Sequence, residues 1–81
     1  MTPREKALNG FELIKQAIVE HLEVTGHDTV FSIGRSLGIH ESKRTDKKGM
    51  PAHEGYIAYT ALAHLKNDGI VVQEGRRYRL T

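Results

Sequence analysis

The side chains here that are able to do chemistry are five histidines, twelve lysines and arginines, ten carboxylates and a scatter of hydroxyls, with no cysteine. The histidines invite a metal reading, and their spacing argues against it. His21, His27, His40, His53 and His64 contain no pair four residues apart, and no His-Glu-x-x-His run occurs, so no single helix presents two imidazoles to one ion. Nucleophilic catalysis lacks its parts as well. There is no thiol, and no serine sits in a Gly-x-Ser-x-Gly elbow. His40-Glu41 and His53-Glu54 are neighbours in sequence, which does not align them for proton transfer. Gly34 and Gly38 lack the Lys-Ser/Thr that completes a phosphate loop. Neither an enzyme, a metal, a cofactor nor a small-molecule substrate is expected.

The charges are more informative. The formal net charge is only +2, yet residues 1–40 sum to −1 and residues 41–81 to +3. The excess falls in two clusters, Lys43-Arg44 with Lys47-Lys48, and Arg76-Arg77 with Arg79. Such asymmetry marks a polyanion-facing side. A solvated surface, or a strand edge charged against edge pairing, accounts for the same residues.

These residues need a scaffold. At 81 residues one domain with a small core is the expected organisation. A 38% hydrophobic content with balanced charge excludes wholesale disorder. No apolar run is long enough for a transmembrane span or a signal-peptide core, so a cytoplasmic location without membrane contact is expected. Missing cysteines fit a reducing compartment.

Residues 1–10 read as a flexible lead-in, with Thr2-Pro3 able to cap a short turn and Asn9-Gly10 interrupting it. Phe11, Ile14, Ile18 and Leu22 recur at helical steps up to about Thr25, and Gly26 stops the helix. Leu13, Ala17 and Val24 form a second stripe, to be covered by internal packing or by a second copy in a homodimer. Thr29-Val30-Phe31 is a short β-prone run, and Ser32 caps a short helix ending near Leu37-Gly38-Ile39. Residues 40–53 form a polar, basic loop insertion. A second strong helix covers Gly55–Asp68, or starts at Ala52–Glu54 just after Pro51, with Glu54, Ala58, Ala61, Leu62 and Leu65 on one side and Tyr56, Tyr59, Thr60, Ala63 and Asn67 on the other. Ile70–Gln73 and Arg77–Thr81 then form a hairpin around Glu74-Gly75-Arg76. Alternation sends Val72, Tyr78 and Leu80 one way and the arginines the other. The fold class is α+β, mainly α: three helices, one short strand and a C-terminal two-stranded hairpin, in a single domain over residues 11–81.

Ala61-Leu62-Ala63-His64-Leu65-Lys66-Asn67-Asp68-Gly69-Ile70-Val71 followed by Glu74-Gly75-Arg76-Arg77-Tyr78-Arg79-Leu80 resembles the recognition helix and wing of the winged helix-turn-helix family. Ser32-Ile33-Gly34-Arg35-Ser36-Leu37-Gly38-Ile39 is similar to that family's second helix and exit turn. The closing helix and wing also look like the amino-terminal winged helix of methylation-directed restriction enzymes. The insertion departs from the family, whose second and third helices are joined by a few residues.

The resemblance implies a double-stranded DNA-binding module, sequence-dependent or general, in transcriptional regulation or a phage or restriction process, and nucleoid-associated within the cell. A helix about 10–12 Å across fits the major groove, where hydroxyls on its exposed face meet base edges. The candidate DNA contacts are Arg76, Arg77 and Arg79 on the wing, and Tyr56, Tyr59 and Thr60 on the third helix. Lys43, Arg44, Lys47 and Lys48 in the insertion, and Arg35 on the second helix, complete the set. The competing expectation is a protein-interaction adaptor or inhibitor, using the Leu13, Ala17 and Val24 stripe or the third helix, or a dimerisation domain, whole or part of a longer protein.

Overall fold

A computed structural model of the protein describes residues 1–39 and 56–81. The element order is α1 (Pro3–Thr25), β1 (His27–Thr29), α2 (Val30–Leu37), α3 (Tyr56–Asn67), β2 (Val71–Glu74) and β3 (Arg77–Leu80). The architecture is α+β and mainly helical, with a small antiparallel sheet of strand order β1-β3-β2.

The first helix begins earlier than its apolar period indicates. The Thr2 hydroxyl accepts from the Glu5 backbone N–H at 3.2 Å, while the Thr2 N–H donates to Glu5 Oε1 at 3.1 Å. This reciprocal cap satisfies two otherwise orphaned donors, and Pro3 fits the first helical position. Hydrogen bonding from Thr2 holds the Glu5 carboxyl below its ordinary range. The helix therefore runs unbroken through Asn9-Gly10, where an interruption of a loose lead-in was expected. A mid-helix glycine costs only about 1 kcal/mol, too little to break a well-capped helix.

The expected strand at Thr29-Val30-Phe31 lies two residues earlier. Val30 and Phe31 already belong to α2, and Thr29 rather than Ser32 caps it, its hydroxyl accepting from the Ser32 N–H at 3.3 Å. Extended backbone up to Thr29 satisfies two demands at once, because a cap residue needs that conformation and β1 needs it to pair with β3. The register sets His27 opposite Arg79, Asp28 opposite Tyr78 and Thr29 opposite Arg77. The hairpin thus becomes the closing part of a three-stranded sheet.

Register also decides which face each side chain takes. Val71 pairs with Leu80, and Gln73 with Tyr78. Opposed residues share a face, so Val71, Tyr78 and Leu80 face the helices. Val72, opposite Arg79, lies on the outer face with the arginines, correcting the expectation that grouped it with Tyr78 and Leu80.

The core joins every element of the described fold except β1. Ile18 and Leu22 of α1, Ile33 of α2, Ala61, Leu62 and Leu65 of α3, Val71 of β2 and Tyr78 of β3 form one buried cluster. Phe11, Ile14, Val30, Leu37 and Leu80 pack around it. Each large apolar side chain buried this way contributes roughly 1.5–3 kcal/mol. No charged side chain is fully buried among the described residues. Ala58, Ala61, Leu62 and Leu65 are buried on α3 as expected, and Glu54, expected with them, lies outside the described residues. The basic insertion at 40–53, and the start of the third helix before Tyr56, lie outside the described residues. No described helix is long and apolar enough to cross a membrane.

Candidate nucleic-acid interface

The inward packing of Ala61, Leu62 and Leu65 fixes the rotation of α3 and leaves Tyr59, Thr60, Ala63 and Asn67 exposed. Tyr59 is 59% exposed. Tyr56 opens the helix, but the expectation placed on its side chain lies outside what the structure describes. Tyr59 lines a groove of about 450 Å³ whose other walls are the start of α2, through Thr29, Val30 and Phe31, and the hairpin turn, through Gly75 and Arg76. Tyr78 and Gln73 complete it. Burial, with Tyr59 nearby, lifts the Tyr78 phenol above its ordinary value, so that floor is a neutral aromatic surface. Among the described residues, no carboxylate lines the groove.

The three neighbouring arginines have different surroundings. Arg76 sits in the two-residue turn between β2 and β3. Gly75 precedes it with φ of 64°, and among the described residues only glycines have positive φ. A glycine in that conformation at the first turn position, followed by a residue of negative φ, matches the type II′ hairpin turn. Arg76 has no hydrogen bond or ion pair among the described residues. Arg79 instead lies on the outer face of the sheet, and its Nε and Nη2 donate to Glu74 Oε1 and Oε2 at 2.8 and 3.2 Å. This two-point bond holds the Glu74 carboxyl below its ordinary range and raises the Arg79 guanidinium. Arg77, on the same face, donates from Nη1 to His27 Nδ1 at 2.7 Å. That bond requires the ring nitrogen to be unprotonated.

Of the residues singled out from sequence, the structure brings Tyr59 and Arg76 into one groove. Arg77 and Arg79 face elsewhere and are engaged. Arg35 is exposed on α2 but does not line the groove. Thr60 is exposed beside Tyr59 on α3. Lys43, Arg44, Lys47 and Lys48 lie outside the described residues.

Two contributors escaped the sequence reading. Lys66 Nζ donates to Gln73 Oε1 at 3.1 Å, and Gln73 Nε2 donates to the Gly75 carbonyl at 3.0 Å. One amide thus links α3 to the turn and sets a second cation near Arg76. Only strand register identifies Gln73 as an inner-face residue, and nothing in its local sequence signals that.

The opposite flank differs in charge. A groove of about 530 Å³ between α1 and the end of α3 is rimmed by Glu12, Glu20, Glu23 and Asp68, with Val19, Leu65 and Ile70 below. Lys15 is its one cation among the described residues, already paired to Glu12 at 2.6 Å. The described molecule is therefore sided, with an acid-free groove at the hairpin turn and an acid-rimmed one on α1.

The described histidines are used locally. His21 Nε2 meets Asp28 Oδ2 at 2.8 Å, His64 packs edge-on against Phe11 with ring centroids 4.9 Å apart, and His27 accepts from Arg77. Among the described residues, no three His, Asp or Glu side chains gather into a metal-holding group. No protein-family model, curated protein or solved structure matches this chain.

Proposed function

We propose that this chain is a winged helix-turn-helix module that binds double-stranded DNA, with α3 in the major groove and the β2–β3 hairpin, as its wing, on the backbone. The observation that carries the reading is the shared groove. An exposed helix face with hydroxyls and an amide adjoins a turn whose arginine is unpaired among the described residues, none of whose carboxylates lines the groove. Polar groups on an exposed helix read base edges, and unpaired cations beside it neutralise phosphates. The element order, with a short strand between the first two helices pairing to the closing hairpin, supports the same reading. The module binds and does not catalyse. Transcriptional regulation or a phage or restriction-type DNA process is the setting such a module serves.

Titration of labelled duplex at low and moderate salt is the test. Affinity tighter than micromolar at low salt, falling steeply as salt rises, is expected, because each neutralised phosphate releases counterions. Absence of binding at low salt, or a flat salt response, rejects the proposal. The competing reading, a winged helix that binds protein, is favoured by the exposed Leu13 and Val24 on α1 and predicts no salt-dependent duplex binding.

A further inference from the structure

We propose that α1 is the dimerisation element of this protein, two copies packing their α1 helices antiparallel about Leu13. The inference is independent of DNA binding. It begins with apolar surface that the fold leaves uncovered. Leu13 is 64% exposed and Val24 87%, although the core face of the same helix is well packed. Gly10, Leu13, Ala17 and Val24 follow one another at steps of three, four and seven, which is one helix face with the spacing of a helix–helix seam.

The surface beside this seam is shaped to accept a side chain. Leu13, Ile14 and Ala17 of α1 and Leu37 and Ile39 at the end of α2 line a depression of about 240 Å³. None of these residues is charged. Gly10 adds a second indication. A Cβ built there meets nothing within 4 Å among the described residues, so their packing does not call for glycine at a position where glycine weakens a helix. Close approach of another backbone does call for it.

Charge selects the orientation and the occupant. Lys6 and Glu20 lie on the same side of α1, each seven residues from Leu13. With Leu13 on a two-fold axis and the helices antiparallel, Lys6 faces Glu20 of the partner subunit, and the pair occurs twice by symmetry. Met1, itself 75% exposed, then comes beside Val24 of the partner subunit. A parallel arrangement sets Glu20 against Glu20 of the partner subunit and Lys6 against Lys6 of the partner subunit, two repulsions. The surface is therefore complementary to a reversed copy of itself.

Sedimentation of the full chain, with helicity checked by circular dichroism, tests the proposal. The wild type is expected to sediment at twice the 9.1 kDa chain mass as concentration rises. Leu13→Asp is expected to sediment as a folded monomer. Lys6→Glu and Glu20→Lys should each weaken association by roughly tenfold, two repelling pairs replacing two attracting ones, and the double exchange Lys6→Glu with Glu20→Lys should restore it. A wild type that stays monomeric overturns the proposal. So does a dimer indifferent to Leu13→Asp, single exchanges without effect, or a double exchange that fails to rescue. The readout contains no DNA, so these outcomes leave the nucleic-acid proposal to its own test.

Discussion

Arg76 and Arg79 are three residues apart and belong to the same hairpin, yet they have opposite availabilities. The turn exposes Arg76 to a groove that no described carboxylate lines. The strand lays Arg79 on the outer sheet face, where Glu74 binds it at two points. Arg77 shares that outer face and is engaged by His27. A run of basic residues is thus no measure of free positive charge. Strand alternation and the cross-strand partner decide which cation can meet a phosphate, and the turn escapes both.

Several substitutions put this contrast to the test. The largest effect removes it altogether. Leu62→Ala opens the core where α3 meets α1 and the hairpin, and should cost about 2–5 kcal/mol in denaturant unfolding, so that turn and sheet lose their distinction together. Next, Arg76→Ala should weaken duplex binding by roughly tenfold and reduce the salt slope by about one, similarly for all sequences. An equal effect from Arg79→Ala would show that the Glu74 partnership does not matter.

The third effect reaches Arg77 through acid. Burial alone would push the Asp28 carboxyl up, but hydrogen bonds from His21, the Thr29 N–H and Ser32 outweigh it and hold its pKa below the ordinary value. A depressed carboxyl contributes stability in full above its unfolded value of about 3.9, and that contribution disappears as pH falls through the folded value. Acid unfolding should therefore show a loss of about 1 kcal/mol below roughly pH 4 that Asp28→Asn abolishes. Since Asp28 anchors β1, the His27 partner of Arg77 loosens with it. Fourth, Glu74→Gln should strengthen duplex binding by about two- to fivefold at low salt, because it both frees Arg79 and removes a repelling carboxylate. The smallest change belongs to Arg79→Ala, expected to stay within about twofold of wild type in the same titration.

The two long helices were legible because each carries several turns of apolar period. Ile18 and Leu22 of α1 and Ala58, Ala61, Leu62 and Leu65 of α3 are buried as that spacing indicates, whereas internal packing of the second stripe is corrected by the exposure of Leu13 and Val24. The extent of α1 was not legible, since a reciprocal cap between Thr2 and Glu5 outweighs the weak helix propensity of Asn9-Gly10. The short strand was expected two residues too late, for a different reason. Three residues hold no period, and their strand character comes from β3, where the partner of Asp28 is Tyr78, fifty residues away in sequence. The same non-local pairing assigned Val72 to the outer face and split the arginines. In the groove, Tyr59 was visible from helix rotation and Arg76 from turn chemistry. Gln73 and Lys66 became visible only when α3 and β2 came side by side.

The position of β3 between β1 and β2 has a kinetic consequence. The β2–β3 hairpin closes over a two-residue turn and can form within microseconds. Joining β1 to it requires closing a loop of about fifty residues, an entropic cost collected before any reward. Folding should therefore be limited by the docking of β1, and with it α1 and α2, onto a hairpin already made. In native-state hydrogen exchange the amides of β3, bonded on both sides, should be the slowest of the sheet, and β1 should open first.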